Sequence, residues 1–429
     1  MQMQPRVAID LGAGSGRIFY GTSERFEEIR RFPNTWDFRE TVASVRDGLA
    51  LLKGEPVASV SCDSWAQDFG LVDASGALSF PPRSYLVDRA EETAAAITAA
   101  IPAKELLALC GVKSVDPIAT IARWKRLTET APDEVASAVR LLPVADLMLH
   151  ALCGCASLDF SLASAGLLLG PGTDRINAPL LHRLGLDERL LPRVCAGPRV
   201  IGAVVHGAGA PESMKGVPVV SGIGHDTAAA FYGSGCGGDE CFVSFGSWAM
   251  IGTCDDGAPK EGNTRAFGIV PGRYARFAPR IGMLFLQSCV KCWQKDGTWP
   301  GFAAFDAAVA ASEFSGEFDP AAVALPPPDG DMPREIAAKC TLRPRNAAEI
   351  GRAVCRSVAR SVAEGVRELE RESGRRFARV LVGGGALADA NLMRELRGFL
   401  AVPVVPSARE AAVRGNLCIQ ASVFDENNQ

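Results

Sequence analysis

The order of apolar and polar positions cuts the chain into strand-sized and helix-sized pieces. Residues 6–11 (Arg-Val-Ala-Ile-Asp-Leu) form a short apolar run with an acid near its end, the pattern of a buried strand. Glycine-rich residues 12–16 follow, then strand-like residues 18–21 and 28–32, so the glycines sit in a hairpin. The first helical periodicity comes at residues 41–52, where Val42, Val45, Leu49 and Leu52 share a side. Residues 57–62 read as a second buried strand, followed by a polar stretch (63–69) and a strand at 70–73. Residues 90–151 predict several helices, broken near Pro102, Asp116-Pro117 and Pro132, with 141–152 strongly apolar. Turn signals and short helices, 178–184 among them, fill residues 170–209.

Just past the midpoint, Val217, Val219 and Val220 lead into Ser-Gly-Ile-Gly-His-Asp-Thr-Ala-Ala-Ala (221–230). That is a strand, a tight turn and a helix N-terminus, with Asp226 held at the turn. Residues 233–238 read as a linker, after which 241–248 restart with a strand and a small-residue turn, echoing the first half. A proline-rich surface loop (320–333), a long helix (347–373) and a strand (380–382) ending in Gly383-Gly384-Gly385 follow. A helix resumes near Asn391, and the last unit is a strand at 402–405 and a helix from Ala411. Gly415, inside that helix, is expected to permit close packing against a nucleotide.

At 429 residues the chain is too long for one core, and two domains of about 200 residues each are expected. A formal net charge of −4 gives no polyelectrolyte character, which sets nucleic acid aside as the main partner. No apolar run approaches the roughly 18 residues of a membrane span, and residues 1–6 lack the apolar stretch of a secretory signal. Thirteen cysteines without framework spacing predict free, mostly buried thiols and a cytoplasmic protein. Four histidines are too few for a histidine-built metal site.

The chemistry concentrates at strand ends. A dinucleotide fingerprint would open a helix after the glycines, and here a strand follows; a P-loop needs Gly-Lys, which occurs nowhere. A glycine hairpin still offers successive backbone N–H groups to an anion, with Ser15 and Arg17 as added donors, and Asp10 could hold magnesium. A plain β-turn fits the same residues. Asp63-Ser64-Trp65-Ala66-Gln67-Asp68-Phe69 suits a polyol, with an aromatic face for C–H surface and carboxylates for hydroxyls. A buried tryptophan with capping acids fits equally. For Asp226 the structural alternative is a helix cap.

Taken in order, these stretches resemble the FGGY family of carbohydrate kinases, in the actin-like ATPase superfamily, and within it the rhamnulokinases. The likeness rests on Asp10 to Arg17, Asp63 to Phe69, Gly224-His225-Asp226-Thr227-Ala228 and Ser244-Phe245-Gly246-Ser247-Trp248. It continues with Leu286-Gln287, Gly383 to Gly385, and Glu410-Ala411 with Gly415-Asn416, and so spans nearly the whole chain. The resemblance implies an α/β fold of two ribonuclease-H-like domains flanking a catalytic cleft. Residues 1–235 would bind the sugar and 236–429 the nucleotide.

By the same resemblance Asp226 is the general base, and its helix N-terminus is expected to keep it ionised. Asp10 with Ala13, Gly14, Ser15, Gly16 and Arg17 would serve the phosphates and Mg²⁺, and Ser247, Gln287, Gly384 and Gly385 the ATP. Trp65, Ala66, Asp68, His225, Asp226 and Thr227 would line the sugar, a ketose such as L-rhamnulose phosphorylated at C1. Small-molecule sugar and ATP are then the partners; monomer and homodimer both stay open. The chain departs from the rhamnulokinase pattern at Ala66-Gln67, at Pro279, at residues 85–89 and at 386–390. Two rival readings are an actin- or chaperone-like ATPase, which has no use for Trp65 and Asp68, and a sugar-binding regulatory protein without turnover.

Overall fold

The computed structural model describes residues 4–205, 210–257, 265–327 and 329–425. Its two large sheets have six strands each. In the first, the order is Arg199–Ala203, Pro218–Ser221, Val60–Ser64, Arg6–Leu11, Ser15–Gly21, Phe26–Pro33. Arg6–Leu11 lies at its centre, parallel to Val60–Ser64 and antiparallel to Ser15–Gly21, which is why all of its residues are buried, Arg6 and Asp10 included.

The second sheet runs Arg265–Val270, Arg273–Ile281, Trp248–Asp256, Glu240–Phe245, Arg379–Gly383, Val404–Pro406. It shares the centre of the first sheet's scheme, antiparallel strands on one side of the leading strand and parallel ones on the other; the first sheet differs in ending on Arg199–Ala203, which is antiparallel to Pro218–Ser221. Two such units in one chain make this the α/β fold of two ribonuclease-H-like domains, the actin-like ATPase arrangement. The 27-residue helix Ala347–Ser373 covers the second sheet with a stripe that includes Ala353, Val358, Val362 and Leu369.

Three expectations are corrected. Residues 138–143, read within a run of helices, form the strand Ala138–Pro143, which pairs with Phe69–Asp73 in a small three-stranded sheet. The apolar run thus divides into that strand and the helix Val144–Cys153, a division that its unbroken hydrophobicity hides. Residues 320–333, read as a loop, include the first residues of the helix Met332–Lys339, started by the Asp331 cap. Gly415 packs against protein. A Cβ there would lie 2.0 Å from the Ala229 carbonyl oxygen, and one on Gly233 would lie 1.9 Å from that of Ala411. The helices Asp226–Ser234 and Ala411–Asp425 thus cross backbone to backbone.

The last helix continues onto the first sheet. Gln420 donates to the Val7 carbonyl at 2.9 Å and accepts from Ser59 Oγ at 2.7 Å, and Val413 and Leu417 pack on Ala8 and Phe19. Among the described residues no single helix is long and apolar enough to cross a membrane.

Candidate active site

Three acids converge at the ends of the parallel strands. Asp10 and Asp63 are direct neighbours across the Arg6–Leu11/Val60–Ser64 ladder, and both are buried. The backbone then brings in the third. Ser64 N–H donates to the Gly224 carbonyl at 2.8 Å, so the residue 221–226 turn docks against the same strand end.

Burial pushes all three carboxyls upward: Asp10 despite the Arg17 guanidinium beside it, Asp63 strongly so, and Asp226 to about 7 with the Asp10 charge adding to the effect. This reverses the expectation that the helix dipole keeps Asp226 ionised. Asp226 is the first residue of its helix, and Thr227 N–H and Oγ donate to its Oδ1, the hydroxyl at 3.0 Å. Those bonds lower the value less than desolvation raises it. The cap position itself belongs to His225, whose side chain makes no capping bond.

The hairpin closes on Asn34, whose Nδ2 donates to the Gly12 and Ala13 carbonyls at 3.2 and 3.3 Å. Among the described residues the Ala13 and Gly14 amides have no acceptor, which leaves two adjacent N–H groups free at the turn. Ser15 and Gly16 have already entered the strand and pair with Pro33 and Phe32. Arg17 is ion-paired on both sides, to Asp10 and, at 2.7 Å, to Glu410. The second contact spans 393 residues of sequence.

Trp65 Nε1 donates to Asp68 Oδ2 at 2.7 Å, and Asp68 in turn holds Arg123 at 2.5 Å in a fully buried pair. Ala66 is buried in the apolar cluster beneath the first sheet. Trp65 is one wall of an aromatic cluster with Trp36, 5.0 Å away edge-on, and Tyr85, 6.4 Å from Trp36. Burial raises the Tyr85 phenol, and the charges of Asp226 and Asp68 add to the effect, so this cluster borders the acids. Burial holds His225 near 3, hence neutral, with its ring 4.6 Å from Phe267 and its Nδ1 without a partner.

Trp36 and Arg123 escaped the sequence reading. Trp36 is an isolated aromatic in a turn, at φ 61°, and no periodicity marks it. Arg123 lies on the helix Thr120–Thr130, 55 residues from its carboxylate partner.

The second group of predicted residues gathers at the end of Glu240–Phe245. Ser247 Oγ donates to Gln287 Oε1 at 2.8 Å, and the Gly282 and Leu284 amides donate to the Ser247 carbonyl at 2.9 and 3.2 Å. Gly384, at φ 91°, lies so close to this strand that a Cβ would meet the Phe245 carbonyl oxygen at 2.6 Å. Gly385 faces open space. Among the described residues no hydrogen bond or ion pair joins this group to Asp226.

Residues 282–423 match the C-terminal domain of the FGGY family of carbohydrate kinases. The match covers the C-terminal third of the chain, which is thus similar to the FGGY family. The rhamnulokinase of Bacteroides thetaiotaomicron is 26% identical over 444 residues, 98% of this chain and 90% of that one. That of Klebsiella pneumoniae (strain MGH 78578) is 26% identical over 455 residues, 99% and 91% of the two chains. Among solved structures, a gluconate kinase from Lactobacillus acidophilus superposes with a TM-score of 0.80 at 14% identity, covering 99% of this chain and 90% of that one. The glycerol kinase of Plasmodium falciparum, solved with ADP, gives 0.79 at 14% identity over 99% and 90%. These superpositions carry the fold.

Proposed function

We propose that this chain is a sugar kinase that uses ATP and Mg²⁺ to phosphorylate a free ketose at its C1 hydroxyl, with a deoxyketohexose such as L-rhamnulose ahead of the pentuloses. The observation that carries the reading is Asp226: a carboxyl with a pKa of about 7 beside neutral His225 and close to the aromatic walls of Trp36, Trp65 and Tyr85. At neutral pH such a group is part-ionised and basic enough to take a hydroxyl proton. The aromatic walls, with exposed Leu86 and Val87 next to Tyr85, suit the C–H face and terminal methyl of a deoxy sugar. The unpaired Nδ1 of His225 suits one of its hydroxyls, while Asp68, buried between Arg123 and the Trp65 indole N–H, fixes the Trp65 wall from behind.

In this reading Asp226 orients the acceptor hydroxyl and receives its proton as the oxygen attacks the γ-phosphorus in line and the bond to the β-phosphate oxygen breaks. The Ala13 and Gly14 amides and Arg17 hold phosphate oxygens, with Arg17 exchanging one of its carboxylate partners for them. Ser247, Gln287, Gly384 and Gly385 lie around the nucleotide. Trp65, Ala66, Asp68, His225 and Thr227 surround the sugar.

Magnesium, when bound, neutralises phosphate charge. Among the described residues no cluster of three or more ligands forms a dedicated cage. Asp10 with its neighbour Asp63, whose Oδ1 has no partner, fits the sparse carboxylate sites that Mg²⁺ shares with phosphates.

The sugar domain is assigned to residues 1–235 and the nucleotide domain to 236–429, with the last helix returning to the first sheet. Thirteen free thiols suit a cytoplasmic setting. A coupled ADP-release assay over a panel of ketoses and polyols with Mg·ATP tests this. Sugar-stimulated turnover is expected, and turnover indifferent to every sugar would favour the partner-driven ATPase.

A further inference from the structure

The short helix Phe160–Ala165 has no part in the chemistry above, yet it touches the catalytic turn at one end and the second sheet at the other. Its cap, Asp159, is buried, and its backbone N–H donates to Asp146 Oδ2 at 2.9 Å, which roots the helix in the first domain. Asp159 Oδ1 accepts from Leu162 N at 3.0 Å and from the Ser161 hydroxyl. That same hydroxyl, fully buried, accepts from His225 N at 3.0 Å. A Cβ on Gly224 would stand 3.1 Å from Asp159 Oδ1, so the turn lies directly on the helix cap.

On the other side, Ser164 Oγ accepts from Gly268 N at 2.8 Å. Gly268 lies on Arg265–Val270, the edge strand of the second sheet. The Phe160 ring lies against Gly268 and meets Tyr274 edge-on at 6.1 Å. Next to Gly268, Phe267 packs on the His225 ring. The contacts therefore close on themselves: His225 backbone to Ser161, along the helix to Ser164, across to Gly268, and through Phe267 back to His225.

We propose that Ser164 is a positioning residue, which through the Phe160–Ala165 helix fixes the His225–Asp226 turn relative to the second sheet. The proposal rests on Asp226 acting on the sugar hydroxyl. Because the strand reaches His225 by two routes, a shift of the second domain moves ring and backbone together and the carboxylate keeps its aim. Removing the Ser164 hydroxyl opens one route, leaves the Gly268 amide unpaired, and lets the turn drift. A misplacement of about 1 Å at a reacting group can cost up to roughly 10²-fold in rate.

The test compares the wild type with Ser164→Ala and Ser164→Thr, the latter keeping the hydroxyl. In Ser164→Ala, kcat is expected to fall about tenfold or more, within the range for such a misplacement. KM for ATP should stay within about twofold, as for a group whose effect is confined to the chemical step. Amides 225–229 should exchange hydrogen faster, since local opening of the turn is cheaper. Ser164→Thr should restore both. Wild-type kcat or wild-type exchange in Ser164→Ala, in a sample with unchanged melting temperature, overturns the proposal. If the wild-type protein itself shows no sugar-dependent turnover, the functional reading falls, and exchange alone decides whether the coupling exists.

Discussion

Replacing Arg123 by methionine probes how the floor of the proposed sugar site is held. The guanidinium is 3% exposed and the Asp68 carboxylate facing it 0%. Besides Asp68, its Nη atoms donate to the Gln67 carbonyl at 2.9 Å, to that of Arg83 at 2.6 Å and to Asp88 at 3.2 Å. Methionine keeps much of the volume but leaves Asp68 buried without a counter-charge, a loss of about 3–5 kcal/mol for a pair this enclosed. With a urea m-value of about 2–3 kcal/mol/M, the unfolding midpoint of the first domain should drop by roughly 1–2.5 M.

The pH dependence has a definite sign. Asp68 already titrates at about 6 in the folded protein against 3.8 as a free side chain, because desolvation outweighs Arg123 and the Trp65 hydrogen bond. Its contribution to stability is therefore full below the unfolded value and is lost as pH rises through the folded one. Without Arg123 the folded value climbs further. The deficit of Arg123→Met should accordingly be largest at pH 8 and shrink at pH 5, where Asp68 is protonated. Adding Asp68→Asn should recover about 2–3 kcal/mol of the loss, the coupling expected of directly contacting groups. Urea melts followed by tryptophan fluorescence at the two pH values supply the cycle. Strict additivity of the two substitutions, or an unmoved midpoint in Arg123→Met, would refute the reasoning.

Two further outcomes bear on catalysis. Arg17→Ala should lower kcat or raise KM for ATP by about 10–100-fold, the worth of a charge-assisted hydrogen bond, while sugar affinity measured by calorimetry stays unchanged. Unaltered kcat and KM would leave the hairpin a structural turn. The pH profile of kcat/KM should show activity rising with pH and levelling off above an apparent pKa near 7, because Asp226 must be unprotonated to accept a proton and titrates there. His225, held near 3, cannot supply such a limb, and a flat profile from pH 6 to 9 would remove Asp226 as the titrating base.

How much of this could be read from the chain depended on range. The strand at 6–11, the helices at 178–184 and 347–373 and the glycine hairpin follow from local periodicity and turn chemistry, and appear at those positions. The contacts that turn strand ends into a site do not. Asn416 Nδ2 donates to Asp63 Oδ2 at 2.6 Å across 353 residues, and Glu410 reaches Arg17 across 393. Nothing in local spacing encodes such pairings. Gly415 shows the same limit: a helical glycine announces close approach but not by what, and here a second helix takes the place expected for the nucleotide. The elevated Asp226 pKa was hidden for a related reason, since a helix N-terminus is visible in sequence and the burial that outweighs it is not.

The central claim is that Asp226 serves a sugar hydroxyl, and one comparison tests it most directly: sugar-dependent ADP release by the wild type and by Asp226→Asn. Asparagine can accept the Thr227 hydrogen bonds that Asp226 accepts now, so the helix start is preserved while the proton acceptor is lost. The account predicts turnover of a ketose by the wild type and a fall in kcat of roughly 10²–10⁴-fold in the variant, with melting temperature and ATP affinity unchanged. A variant with wild-type melting temperature and wild-type sugar-dependent kcat would contradict it.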